Sequence, residues 1–299
     1  MTFNAVGGIS PFSSVVAATP GQVATARCEL TEIGAIINAE IDNLKSHFPF
    51  VSVITSCVMP DHVHLLVFVK EKTDKTLGQI IASLKANCFK AALASDDALR
   101  QKIEATGLFQ KGFNDGIVYR RGQLENFRRY IDDNPRRYLI RKTHPEYFGR
   151  VGNISIDGVP YAFYGNFLLL RRHMISAVRV SRSYSQLELQ ERQREWEETI
   201  RSGGALVSPF ISVPEKAVRQ NAIERGANII QLTTNGLPER FKPTGRDFDL
   251  CAEGRLLIIA PAAYTTREPR LSRARCHRLN DLASSIAAQS ARLSLRLNR

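Results

Sequence analysis

Apolar and polar positions along the chain repeat at two periods, and the changes between them mark out the elements. From Glu29 to Leu44, apolar residues (Leu30, Ile33, Ile36, Ile37, Ile41, Leu44) recur at spacings of three and four, which predicts an amphipathic helix with Thr31 as N-cap. Phe50 to Val58 alternates as a strand. Met59-Pro60-Asp61 then turns the chain back into His62-Val63-His64-Leu65-Leu66-Val67-Phe68-Val69, which reads as a buried strand closing an antiparallel hairpin. Thr76 to Leu93 predicts a second helix, with Leu77, Ile80, Ile81, Leu84 and Cys88 on one face. Leu108 to Val118 reads as a strand with a glycine-marked irregularity. Gln123 to Lys142 predicts a helix that ends or kinks at Asn134, because Pro135 disfavours helical backbone in the residue before it. Residues 1–27, rich in Gly, Ser, Ala and Pro, read as a loop with room for one strand and supply no convincing first strand beside the histidines.

The order helix, strand, strand, helix, strand, helix, preceded by one more strand, is that of a ferredoxin-like α+β domain. Such a domain packs an antiparallel sheet under helices on one face and leaves the other face free for a substrate. After Pro145 the pattern changes. Residues 146–165 read as a linker hairpin, with alternation from Val151 to Val159. Beyond them, strands are predicted at Phe167–Leu170, Ala177–Val180, Ala205–Val207, Asn228–Leu232 and Leu256–Ala260. Helices at Ser185–Ser202 and Pro214–Arg225, and a helical turn at Asp249–Glu253, fall between them. Short apolar strands separated by helices predict a parallel, Rossmann-like α/β sheet. The expected organisation is therefore a first domain at 1–145, a linker at 146–165, a Rossmann-like α/β domain at 166–264 and a basic tail at 265–299. Leu279, Leu282 and Ile286 give that tail a weak amphipathic helix.

Charge narrows the partners. The chain carries 41 Lys and Arg against 29 Asp and Glu, a formal net charge of +12, which favours polyanions. No apolar run is long enough to span a bilayer, and five scattered cysteines without Cys-x-x-Cys spacing argue against a disulfide framework or a zinc ribbon. The expectation is a cytoplasmic protein without a membrane partner. Arg120, Arg121, Arg128 and Arg129 cluster among tyrosine and phenylalanine, a mixture suited to a nucleic-acid backbone and unstacked bases. Lys85, off the apolar face of its helix, is a further candidate DNA contact, the plainer alternative being a solvated lysine.

The chemistry centres on the histidines. Side chains alternate along a strand, so His62 and His64 point the same way. Two imidazoles side by side in a sheet need partners for their nitrogens. Backbone carbonyls are the plain answer, and a divalent metal is the sharper one. Tyr130 and Asn134, four apart, share a helix face that could lie over the histidine strand and bring a hydroxyl nucleophile and an amide oxygen ligand. A tyrosine is a weak nucleophile unless its target is activated, which a metal polarising a phosphodiester oxygen would do.

Met59-Pro60-Asp61-His62-Val63-His64-Leu65-Leu66-Val67, followed by Tyr130-Ile131-Asp132-Asp133-Asn134-Pro135, resembles the IS200-like, single-tyrosine HUH transposases. Leu108-Phe109-Gln110-Lys111-Gly112-Phe113-Asn114-Asp115 adds a likeness to their REP-associated tyrosine transposase branch. The resemblance spans about residues 28–145. It implies that His62, His64 and Asn134 hold a divalent metal (Mg²⁺ or Mn²⁺), and that Tyr130 attacks DNA to give a 5′-phosphotyrosine link and a free 3′-OH. The implied substrate is single-stranded DNA beside a small hairpin, and a homodimer is among the implied assemblies. Family members begin with a strand paired to the histidine strand, so the reading of residues 1–27 predicts a truncated copy. More weakly, Gly204–Ser212 and Gly254–Pro261 resemble nucleotide folds of DNA-processing proteins, in which a Ser- and Gly-containing loop before a helix holds phosphate. Two rival functions stay open: an inactive DNA-hairpin-binding relative, and a nucleotide-binding protein acting through the C-terminal half.

Overall fold

A computed structural model describes residues 1–7, 11–17, 23–95, 97–181, 183–267 and 269–297, by backbone alone at 98 and 290–297. The parts of the expected N-terminal loop at 8–10 and 18–22, and the end of the basic tail at 298–299, lie outside the described residues. The chain forms two compact units, Met1–Lys142 and Thr143–Arg299, the first α+β with antiparallel sheets and the second built on a large mixed sheet.

The first unit begins with β1 (Thr2–Asn4), β2 (Ser13–Val16) and β3 (Arg27–Leu30). There follow α1 (Glu32–Asp42), the single turn α2 (Leu44–His47), β4 (Val51–Val58) and β5 (His62–Val69). It ends with α3 (Leu77–Ala92), α4 (Asp97–Thr106), α5 (Gln123–Asp132) and α6 (Asn134–Thr143). The expectation for residues 1–27 needs correction. Thr2–Asn4 pairs antiparallel with β5, setting Thr2 opposite His64 and Asn4 opposite His62, so a strand does flank the histidines. β2 and β3 make a separate two-stranded hairpin. Thr31 caps α1 as expected, its hydroxyl accepting from the Gly34 amide, and Thr76 and Gln79 form a capping box at α3.

The central sheet runs β1-β5-β4. Val63 and Leu65 face a core with Phe3, and α1 and α3 supply Ile33, Ile37, Ile41, Ile80, Ile81 and Leu84 to it. A register shift between Val53 and Thr55 reverses the parity of β4, so that Val51 and Val53 at one end and Val58 at the other all reach that core. Leu108 to Val118 is not a strand. It lies alongside β1 through two isolated bridges, Ala5 with Phe109 and Thr2 with Asn114, and Gly112 turns it with φ 75°. Asp97–Thr106 is a helix that the sequence pattern did not indicate; its buried anchor is Ile103.

The second unit holds a six-stranded sheet of order β6-β7-β11-β10-β9-β8. Its strands are β6 (Arg150–Ile156), β7 (Val159–Gly165), β8 (Ile175–Ala177), β9 (Ala205–Ser208), β10 (Asn228–Leu232) and β11 (Leu256–Pro261). Between and after them come α7 (Gln186–Arg201), α8 (Val213–Glu224), α9 (Gly245–Ala252) and α10 (Arg273–Leu297). β8 to β11 are parallel, and β7 joins antiparallel to β11. Residues 146–165, expected as a linker, therefore contribute two strands of this sheet. Phe167–Arg171 is a 3-10 helix rather than a strand, because the Asn166 side chain accepts from the Leu168 amide and starts a helical turn.

The parallel strands advance in one direction across the sheet, and right-handed crossovers then put every connecting helix on one face. Trp196 of α7, Ala222 and Ile223 of α8 and Leu250 of α9 indeed share one core with Leu206, Ile229 and Leu256. The opposite face is covered by α10, whose Leu279, Leu282, Ala283 and Ile286 pack on Val207, Ile230 and Leu257. Because the order of these four strands never reverses, no crevice of the topological-switch kind opens between them.

Candidate active site

The face of the central sheet opposite its core carries His62, His64, Thr2 and Cys57, the last paired with His64 across β4 and β5. The turn into β5 is fixed by backbone bonds from Met59 N to His62 O, Ala5 N to Asp61 O and Phe12 N to Pro60 O. On this frame the two imidazoles meet edge to face, and their Nε2 atoms lie 3.1 Å apart.

Each outer ring nitrogen has its own partner. His62 Nδ1 is 2.7 Å from Asp61 Oδ1, and since a carboxylate only accepts, His62 donates from Nδ1, which in the neutral ring leaves a lone pair turned inward at Nε2. His64 Nδ1 is 2.7 Å from the Thr2 hydroxyl. With the His64 proton on Nε2, that N–H donates to His62 Nε2 and Thr2 Oγ1 donates to His64 Nδ1. A hydroxyl also accepts, so Thr2 can equally receive a proton held on Nδ1 and free Nε2 as a ligand. Thr2 is a site residue that sequence reasoning missed, since a three-residue strand has no readable alternation.

α5 lies over this face. The Thr55 hydroxyl donates to Asp132 (2.9 Å), and the Tyr130 ring sits edge-on to His64 with centroids 5.6 Å apart. Arg137, 5% exposed, stacks its guanidinium 5.5 Å from the centre of the Tyr130 ring. Burial is the main cause that lowers the Arg137 pKa from the usual arginine range, and the neighbouring Arg141 adds to it. Asn134 starts α6 with Pro135 after it, as the sequence break implied. Its amide Nδ2 donates to Tyr130 O (2.8 Å), which leaves Oδ1 as its ligand-type atom. His62, His64 and Tyr130 are thus brought together, and Asn134 is tied to Tyr130 through its backbone.

The expected DNA contacts divide. Arg120, Arg121, Arg128 and Arg129 are exposed at and before α5; Arg120 lies over the Tyr119 ring, and Arg128 makes a long ion pair with Asp132. Lys85 is placed otherwise. Its ammonium donates to Gln110 O and Gly112 O and lies near the rings of Phe3 and Phe109, and burial lowers its pKa. It holds residues 108–114 against β1 rather than presenting a free charge.

Among the described residues, no three His, Cys, Asp or Glu side chains group as a metal site. None of the described helices is long and apolar enough to cross a membrane. In the second unit, the loop before α8 that was expected to hold phosphate is already filled. Glu215, 5% exposed, accepts from the amides of Val180, Ile211 and Ser212, so the protein's own carboxylate sits where an anion would.

No curated protein and no solved structure matches the chain. Residues 33–134, a span containing His62, His64, Tyr130 and Asn134, match the family model described as Transposase IS200 like, and the match supports the IS200-like transposase family for this part of the chain.

Proposed function

We propose that the unit Met1–Lys142 cleaves and rejoins single-stranded DNA at hairpin ends through Tyr130. The observation that carries this reading is the convergence of the His62 and His64 Nε2 atoms, 3.1 Å apart, on the face that also holds the Tyr130 ring. Both histidines have an outer partner able to take the Nδ1 proton, as imidazole ligands of a metal require. A divalent cation, Mg²⁺ or Mn²⁺, would be held by the two Nε2 atoms with Asn134 Oδ1 as the third protein ligand. Bound there, it would supply Lewis-acid polarisation of a phosphodiester oxygen.

Tyr130 gives up its phenolic proton and forms the bond to phosphorus, while the bond from phosphorus to the 3′ oxygen breaks and that oxygen takes up a proton. The product is a 5′-phosphotyrosine ester and a free 3′-OH. Attack by a 3′-OH on that ester restores the phosphodiester and returns Tyr130, with no nucleotide consumed. The Arg137 guanidinium stacked on the ring helps to hold Tyr130 in place beside His64. Arg120, Arg121, Arg128 and Arg129 bind the strand backbone.

The ferredoxin-like reading is supported by the order 108–114, β1, β5, β4, with α1 and α3 as the connections behind the sheet. A homodimer is supported by Leu124 and Phe127, 44% and 39% exposed on the same helix as Tyr130. Free cysteines throughout accord with the cytoplasm as the compartment. The inactive-relative reading rested on a missing first strand, which β1 supplies, and the nucleotide reading rested on the loop that Glu215 fills.

The test uses labelled single-stranded DNA carrying the hairpin that flanks the gene, incubated with protein and Mn²⁺ or Mg²⁺ and run on a denaturing gel. A protein-linked band is expected with either cation and lost with chelator, with His64→Ala and with Tyr130→Phe. A band that survives Tyr130→Phe would remove Tyr130 as the nucleophile.

A further inference from the structure

At the carboxyl ends of β10 and β11, the second unit has a cleft of about 330 Å³, within the size range of small-ligand sites. Its floor is made by the segments that leave the two strands, and one wall by the first turns of α10. Most of its polar groups are already spent on one another. The Thr233 hydroxyl donates to Asn235 O, and the Asn235 side chain bonds the backbone of Gly236 and both the backbone and hydroxyl of Thr265.

Two cations are the exception. Arg275 and Arg278 line the cleft, and among the described residues neither has a carboxylate partner; Arg275 makes only a long 3.4 Å contact to Arg270 O. The carboxylate beside the cleft, Asp157, accepts from Ser285 instead. Tyr161 borders the same space, and burial holds its phenol in the protonated, donor form. Val159, Pro160, Pro261 and Leu279 also line the cleft, an apolar surface suited to a planar ring.

We propose that this cleft binds a nucleotide, its phosphate held by Arg275 and Arg278 and its base laid against Pro160 and Pro261. Arginine's planar fork suits phosphate oxygens in a way a single lysine charge does not. The site is distinct from the loop filled by Glu215, and it makes no use of Tyr130 or the histidines. The nucleotide can be a free molecule or the phosphorylated end of a DNA strand, since both present the same chemistry.

The test is fluorescence anisotropy on the full chain, with fluorescein-labelled AMP compared with fluorescein-labelled adenosine. The phosphorylated probe is expected to bind at least tenfold more tightly. R275A/R278A should weaken it by at least tenfold more than R192A, a control on the exposed face of α7, with R275K/R278K in between. Equal melting temperatures for the variants, whose changes lie at solvent-accessible arginines, establish that the fold is kept. Displacement of the probe by free AMP alone, or also by 5′-phosphorylated but not unphosphorylated decathymidylate, identifies the source, and both outcomes support the site. Equal binding of the two probes, or undiminished binding by R275A/R278A, overturns it, as does failure of AMP and of both oligonucleotides to bind.

Discussion

Lys85 gives the sharpest separation between a structural and a DNA-binding role, and Lys85→Met is the perturbation to use. Methionine keeps the aliphatic length over Phe3 and Phe109 but removes the donors to Gln110 O and Gly112 O. A hydrogen bond from a charged donor contributes about 1.5–3 kcal/mol. Both bonds here are solvent-accessible, and their carbonyls can turn to water, so the pair together is set at about 2 kcal/mol. That loss falls on the attachment of residues 108–114 to β1 and not on the whole unit. Two amides report it directly, Gln110 N donating to Asn4 O and Asn114 N donating to Thr2 O. Native-state hydrogen exchange should therefore speed up about 30-fold at these two amides, the factor corresponding to 2 kcal/mol, with little change at Leu65 in the sheet core. Single-stranded DNA affinity and its salt dependence should barely move. Unchanged exchange, with DNA affinity lowered and the salt slope shallower by about one, would refute this reasoning and make Lys85 a phosphate contact.

Three further outcomes follow from other contacts. A Cβ at Gly34 would stand 1.8 Å from the backbone oxygen of Phe12, so Gly34→Ala should cost about 3 kcal/mol or more in urea unfolding of the first unit; a cost under about 1 kcal/mol would mean the 11–13 segment moves freely. Glu215→Ala strips three amides of their acceptor, which should cost about 3 kcal/mol in the second unit and make its melting temperature rise with sulfate more than the parent's does. The thiols of Cys28 and Cys57 both donate to Met59 Sδ, and the neighbouring Cys57 thiol is the main cause that lowers the Cys28 pKa to about 7 from 9, so alkylation of Cys28 should reach half its maximal rate near pH 7, and Cys57→Ala should move that point upward. The sign for stability follows. The folded chain favours the Cys28 thiolate, so this contribution is present above pH 9 and is lost as the pH falls through about 7. Cys57, whose pKa is raised by the neighbouring Cys28 and by burial, begins to oppose it only above pH 9.

The parts of the site that were legible in the sequence are those set by local periodicity. The alternation of His62 and His64 requires only a strand, and the break between α5 and α6 requires only Pro135. What escaped depended on distant partners. Thr2–Asn4 is too short to show a period, and it is a strand because β5 accepts it. Leu108–Val118 has strand composition, yet Gly112 turns it and Lys85 ties its carbonyls, so the ladder stops at two bridges. The Phe-Leu-Leu-Leu run at 167–170 fits either period, and the Asn166 side chain decides for a helical turn. α4 buries Ile103 within a polar stretch whose only large apolar residues are Leu99 and Ile103, one pair and too few to establish a period. The histidine pair could be read, and the groups that orient it could not.

The pairing of β1 with β5 also has a consequence for the order of folding. The hairpin β4–β5 joins neighbouring segments and closes quickly, so the two imidazoles come together early. The hydroxyl that steadies His64 arrives across a gap of 62 residues, and the helix bearing Tyr130 must close over the same face from the other direction. During synthesis the first strand leaves the ribosome well before its partner exists, and it has to wait unpaired. The face that carries His62, His64 and Tyr130 is therefore expected to be among the last parts of the first unit to become whole, so that partly folded chains would hold the histidines without the tyrosine and, on the proposed mechanism, would be unable to cut DNA.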